Sequence, residues 1–203
     1  MAKIFPNSPA IESPPSACDR TAEEAAEAAM TVWRKSLLFN CKGFTVYDSR
    51  GDLLFRVDNY SATRSGGEIV LMDSSGKSLL TIRRKRLSLG EKWLIYNGDE
   101  VENPIFSVKK HVMLFGSEGL ARVTPCRGFQ NRLEESYQIE GSYSRRECRV
   151  YDGRRRAVAE VARKEAAAGV ALGGDVFRLI AKPEIDAGFA MAVVVVLDQM
   201  YGP

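Results

Sequence analysis

Residues 184–199 read E-I-D-A-G-F-A-M-A-V-V-V-V-L-D-Q. Val193 to Val196 alone favour a strand, because β-branched side chains suit a pleated surface. The run as a whole does not. It has no polar face between Ala187 and Leu197, and its eleven residues are too many for an ordinary strand. Ala, Met, Phe and Leu serve equally in a helix that is apolar on every side, and such a helix must be wholly buried. Pro183 precedes it, and Asp186 sits where a carboxylate meets the positive end of the helix dipole. The run also falls short of the ~20 residues needed to cross a bilayer. It predicts a short, buried C-terminal helix.

Outward from that helix the texture is short alternating runs broken by turn residues, which signals β structure. Strands are expected near 31–39, 43–48, 53–58, 69–73, 78–84, 92–97, 104–109, 119–124, 135–140, 146–151, 156–162 and 175–181, about twelve in all. Three hairpins resemble one another. Tyr47-Asp48-Ser49-Arg50-Gly51 leads to Phe55-Arg56-Val57, Met72-Asp73-Ser74-Ser75-Gly76 leads to Leu80-Thr81-Ile82, and Tyr151-Asp152-Gly153-Arg154-Arg155 leads to Ala159-Glu160-Val161. In each, two apolar residues share a face while Arg56, Thr81 or Glu160 points the other way. A repeated hairpin with one buried face favours a closed sheet. The expectation is a mainly β fold: an antiparallel barrel of twelve strands around the buried helix.

The chain has 203 residues, 29 Lys and Arg, 26 Asp and Glu, a net charge of +3 and 45% hydrophobic residues. That suits one domain with its own core. The charge is unevenly spread. Residues 1–30 hold two basic and five acidic residues and are rich in Pro, Ser and Ala, whereas 31–203 carry +6. Residues 1–30 are expected to be a disordered leader. Thr21-Ala22-Glu23-Glu24 fits a capping box, so a short helix is expected over 21–30, marginal unless it packs on the domain. The domain proper is 31–203.

The first twenty residues are broken by prolines and contain no apolar core of a signal peptide. Cys18, Cys41, Cys126 and Cys148 never occur as C-x-x-C, so free intracellular thiols are expected. These features predict a cytoplasmic protein. His111 is the single histidine, which removes multi-histidine zinc chemistry and most histidine-based catalysis.

A family resemblance adds to this. Met30-Thr31-Val32-Trp33-Arg34-Lys35-Ser36-Leu37, Gly43-Phe44-Thr45-Val46-Tyr47-Asp48 and Phe55-Arg56-Val57-Asp58-Asn59-Tyr60 resemble the LURP-one-related proteins of plants. So do Leu79-Leu80-Thr81-Ile82-Arg83-Arg84-Lys85, Gly169-Val170-Ala171-Leu172-Gly173-Gly174-Asp175-Val176-Phe177 and the closing Phe189 to Asp198. The motifs run in order over about 30–200. The resemblance implies the tubby C-terminal-like barrel, whose relatives include phosphoinositide-binding tubby proteins and phospholipid scramblases. It implies an association with plant defence and brings no catalytic residues, so no enzyme activity is expected.

The candidate chemistry is basic. Arg83-Arg84-Lys85-Arg86 ends a strand, and Lys109-Lys110, Arg154-Arg155-Arg156 and Arg163-Lys164 lie near strand ends or turns. If several converge, they form a site for anionic phospholipid headgroups such as phosphoinositides, on a monomer held peripherally at the plasma membrane. If they do not, they are solvated charges that keep strand edges from pairing. The aromatics alternate as core residues do, so nucleic acid is not the expected partner. A protein-interaction scaffold without lipid affinity is the alternative reading, its partners unspecified. Gly169 to Gly174 lacks the Lys-Ser/Thr of a phosphate loop, and Asp48, Asp73 and Asp152 each fit a turn rather than a metal site. No cofactor is expected.

Overall fold

The computed structural model describes residues 27–37, 43–59, 67–85, 90–100, 102–111, 119–126, 136–164 and 173–202. The twelve strands are β1 (Ala28–Trp33), β2 (Gly43–Tyr47), β3 (Leu53–Asn59), β4 (Glu68–Asp73), β5 (Ser78–Arg84) and β6 (Lys92–Asn97), followed by β7 (Phe106–Lys110), β8 (Gly119–Pro125), β9 (Tyr137–Ser142), β10 (Glu147–Tyr151), β11 (Ala157–Arg163) and β12 (Val176–Ala181). One helix, α1 (Ala187–Tyr201), ends the fold. Each strand pairs antiparallel with the next, and β12 returns to β1, closing the barrel. The closing register runs from Ala28 opposite Ala181 to Trp33 opposite Val176. A closed sheet leaves no open edge for another chain to extend.

Strand parity builds the core. Met30 and Val32 on β1, Phe44 and Val46 on β2, Trp93 and Ile95 on β6, and Phe177 and Leu179 on β12 all face inward. They pack around α1, whose residues Gly188 to Asp198 are all buried. The four valines are helical despite their strand preference. Inside the closed sheet every edge is already paired, so only a helix can satisfy their backbone groups internally. Asp186 caps the start by accepting the Phe189 N–H at 2.7 Å, and Phe106 stacks on Phe189 with centroids 4.4 Å apart. At the other end Lys110 Nζ donates to the Met200 carbonyl at 2.8 Å and lies 4.3 Å from the Tyr201 ring centroid. A cation there meets the negative end of the helix dipole. Asp198 receives Arg34 Nε at 3.0 Å and the Tyr143 hydroxyl at 3.2 Å. Burial and the Asp198 charge push the Tyr143 phenol well above its ordinary range.

The three similar hairpins share one construction. Oδ1 of Asp48 accepts the N–H groups of Arg50 and Asp52, that of Asp73 those of Ser75 and Lys77, and that of Asp152 those of Arg154 and Arg156. Each hairpin carries a register shift at the same place, at Val46/Tyr47, Leu71/Met72 and Val150/Tyr151. The residue three after each Asp has positive φ: Gly51 at 90°, Gly76 at 91° and Arg155 at 63°. Glycine takes that conformation freely, and Arg155 adopts it against a cost of about 1 kcal/mol. Thr81 does point away from the core, yet it is buried, its hydroxyl donating to the Gly98 carbonyl at 2.6 Å.

The start of the barrel differs from the sequence expectation: the first strand, expected over 31–39, begins at Ala28 and ends at Trp33, leaving Arg34 to Leu37 outside it. Ala28, Ala29 and Met30 belong to β1 rather than to a leader helix. Their pairing with Ala181, Ile180 and Leu179 overrides the helix preference of alanine, because it closes the barrel. The remainder of the expected leader, residues 1–27, lies outside the described residues apart from Glu27, as does the 169–172 part of the glycine-rich stretch.

Candidate anion-binding surface

The basic residues singled out from the sequence have separate fates. Arg83 forms an ion pair with Glu68 and lies over the Tyr96 ring. Arg84 and Lys85 are exposed at the end of β5, and Arg86 lies outside the described residues. Lys109 is exposed on the outer face, while Lys110, one residue on, turns inward to α1. Alternation along a strand separates such neighbours. Arg155 bonds Glu140 at 2.6 Å and Gln138 at 3.3 Å, and Arg156 pairs with Asp152 at 2.7 Å. Arg154 is exposed in the same turn, its N–H bound to Asp152. Arg163 Nε donates to the Arg145 carbonyl at 2.9 Å, and Lys164 Nζ donates to the Thr31 hydroxyl at 2.6 Å.

Cross-strand register collects a different set. Lys92 on β6 stands directly opposite Lys109 on β7, and Lys109 stands directly opposite Arg122 on β8. The Lys85 N–H bonds the Lys92 carbonyl at 2.8 Å, which extends the β5–β6 ladder by one pair beyond Arg84 and Trp93. Trp93, Val108 and Val123 face the core, so Lys92, Lys109 and Arg122, each one place along from them, face outward, and Lys85 shares the face of Lys92. The result is a row of four cations, Lys85–Lys92–Lys109–Arg122, on one barrel wall. With strands ~4.8 Å apart it runs roughly 15 Å. Among the described residues none of the four makes an ion pair with a carboxylate. Like charges directly opposite one another in a sheet destabilise it.

The row continues into Gln138 on β9, opposite Arg122. There it borders a cleft of about 550 Å³ lined by Lys109, His111, Gly119, Arg122, Gln138 and Glu140, among others. The ring of His111 lies against Gly119: a Cβ on that glycine would come within 2.6 Å of the ring carbon Cδ2. Glycine at 119 thus lets the imidazole lie on the strand. Glu140, the one carboxylate among the described residues of the cleft, is held by Arg155. What remains is a wall that offers ammonium, guanidinium, imidazole and amide donors to an anion.

Lys92 and Arg122 escape a reading of the sequence because each is isolated along the chain, in E-K-W and A-R-V. Their adjacency comes from register, and register depends on loop geometry. The available signal is parity: Arg122 lies between core-facing Ala121 and Val123, and Lys92 directly precedes core-facing Trp93, so both must point out.

The fold defines a class, a twelve-stranded antiparallel barrel with a buried C-terminal helix. Comparison with known proteins makes the class specific. The LURP-one-related family profile matches residues 28–198, and the chain belongs to that family. It is 44% identical over 206 aligned positions to Protein LURP-one-related 8 of Arabidopsis thaliana, covering 99% of this chain and 98% of that protein. It is 45% identical to Protein LURP-one-related 12 of the same plant, over 85% of this chain and 78% of that protein. The X-ray structure of another protein from Arabidopsis thaliana shares the fold, with a TM-score of 0.62 at 23% identity, covering 86% of this chain and 91% of that one. No helix among the described residues is long and apolar enough to cross a membrane.

Proposed function

We propose that this protein is a non-catalytic module that docks on anionic phospholipid headgroups at a membrane surface. The observation that carries the reading is the row Lys85–Lys92–Lys109–Arg122, in which no cation pairs with a carboxylate among the described residues. Holding four cations in register costs the fold stability. An extended anionic surface repays that cost, and each basic residue near such a surface contributes about 1 kcal/mol. The row is long and lies on an outer wall, which suits a sheet of headgroups better than one small anion. The tubby-like resemblance supports the same reading, and the family's association with plant defence makes membrane signalling in defence its natural setting.

The second reading, a protein-interaction scaffold without lipid affinity, is favoured by Trp33 and Leu37. These large apolar residues on and just after β1 are 40% and 55% exposed. Co-sedimentation with vesicles separates the two. Binding that rises with the anionic lipid fraction at low salt supports the first reading; absence of binding to every anionic vesicle at low salt refutes it.

A further inference from the structure

A second basic cleft lies half a circuit away around the barrel. The row described above is centred on β6 and β7, and this cleft on β1 and β12, six strands distant in either direction. It encloses about 750 Å³ and is lined by Thr31, Tyr47, Arg50, Arg163, Lys164 and Arg178, with the Asp48 turn at its rim. Arg178 stands directly opposite Thr31 across the β1–β12 ladder. The Lys164 ammonium is bound to the Thr31 hydroxyl at 2.6 Å, so it rests beside Arg178. Arg163 reaches the cleft only at the end of β11: it stands opposite core-facing Phe177, and its guanidinium turns to the β9–β10 turn, where Nε donates to the Arg145 carbonyl.

The described carboxylates around this cleft are already engaged. Asp48 holds its own turn and Arg50, at 3.2 Å. Glu160 on β11 pairs with Arg149 at 3.6 Å, and Asp175 lies 3.7 Å from Arg34. Among the described residues Arg163, Lys164 and Arg178 make no ion pair with a carboxylate. A neutral hydroxyl is a weak partner for an ammonium beside a guanidinium. The Arg178 guanidinium offers paired donors to a tetrahedral oxyanion, and Lys164 adds a point charge. Ala162, opposite Arg178 on β11, and Ala29 on β1 keep the ground around the cations low. The volume exceeds what a lone phosphate fills and falls within the range of small-molecule sites.

We infer that this cleft binds a phosphate-bearing small molecule through Lys164 and Arg178, independently of the row on the opposite wall. The phosphate can come from a free solute or from a lipid headgroup. A flat surface lying along the opposite row leaves this cleft facing away from it, which favours the free solute.

The test titrates the full chain with inorganic pyrophosphate by calorimetry at low salt. A Lys164→Gln/Arg178→Gln variant is expected to bind at least about tenfold more weakly. A Lys92→Gln/Lys109→Gln/Arg122→Gln variant is expected to bind within about twofold of the unaltered protein, and Lys164→Arg to keep most of the affinity. Matching far-UV spectra and melting temperatures establish that the variants fold. A parallel arm measures binding to phosphatidic acid vesicles. Loss of vesicle binding only in the three-residue variant supports the free solute. Loss in the Lys164→Gln/Arg178→Gln variant as well supports the same phosphate site with a headgroup as its source. No pyrophosphate binding by the unaltered protein, or equal weakening in both variants, overturns the inference. Failure of vesicle binding alone refutes the membrane reading and leaves the pyrophosphate result standing.

Discussion

Lys109 on β7 and Arg122 on β8 face each other directly across the ladder on the outer wall, two cations with no carboxylate paired to either among the described residues. Cross-strand pairs contribute roughly 0.2–1 kcal/mol, and like charges act against the fold. Lys109→Gln is therefore expected to raise stability by a few tenths of a kcal/mol while weakening attachment to anionic vesicles. Urea unfolding checks the first effect. A variant that loses stability instead would show that the pair is not repulsive.

The next residue behaves oppositely. Lys110 reaches the Met200 carbonyl, the Tyr201 ring and Glu91, 3.4 Å away. Lys110→Met removes the cation at the end of α1 and is expected to cost about 1 kcal/mol. Unfolding midpoints of Lys109→Gln and Lys110→Met moving in the same direction would contradict the assignment of the two side chains to opposite faces.

Acid should loosen the hairpins. The Ser75 hydroxyl and the N–H groups of Lys77 and Ser75 hold the Asp73 carboxyl below its ordinary value, and the Asp52 N–H and Arg50 do the same for Asp48. Because the folded value lies below the unfolded one, this stabilisation is complete above about pH 4 and fades as pH falls through the depressed value. Asp73→Ala is thus expected to be less stable than the unaltered protein at neutral pH, with the gap narrowing as the solution is made acid. Denaturant curves at several pH values report it; a gap that widens in acid would contradict the sign.

The buried helix predicts the most severe outcome. Val194 is 2% exposed within α1. An unpaired carboxylate there costs several kcal/mol, a large share of a domain's 5–15 kcal/mol. Val194→Asp is expected to leave no soluble folded protein, and a soluble, cooperatively melting variant would remove the helix from the core. Burial also pushes the Cys148 thiol up to about 12, so at pH 8 it should resist alkylation until the barrel opens.

Much of the fold is legible in the chain because it rests on local signals. The absence of a polar face from Ala187 to Leu197 marks the helix, and Asp48, Asp73 and Asp152 mark three turns of one construction. Where the sequence misleads, a nonlocal partner decides. Ala28 to Met30 become strand because β12 needs a neighbour, and Lys110 turns inward because α1 ends beside it. The candidate surface was legible only in part. Lys85 and Lys109 stand out within basic runs, but Lys92 and Arg122 join them through register. Contiguous charge in a strand alternates between faces, whereas charge that matters to a surface aligns across strands.

The most direct test of the membrane reading is the partition coefficient of the protein onto phosphatidylserine vesicles at low salt. It should be compared with that of a folded Lys92→Gln/Lys109→Gln/Arg122→Gln variant. Three charges at about 1 kcal/mol each predict a loss of roughly 100-fold. Equal partitioning of the two proteins would contradict the account.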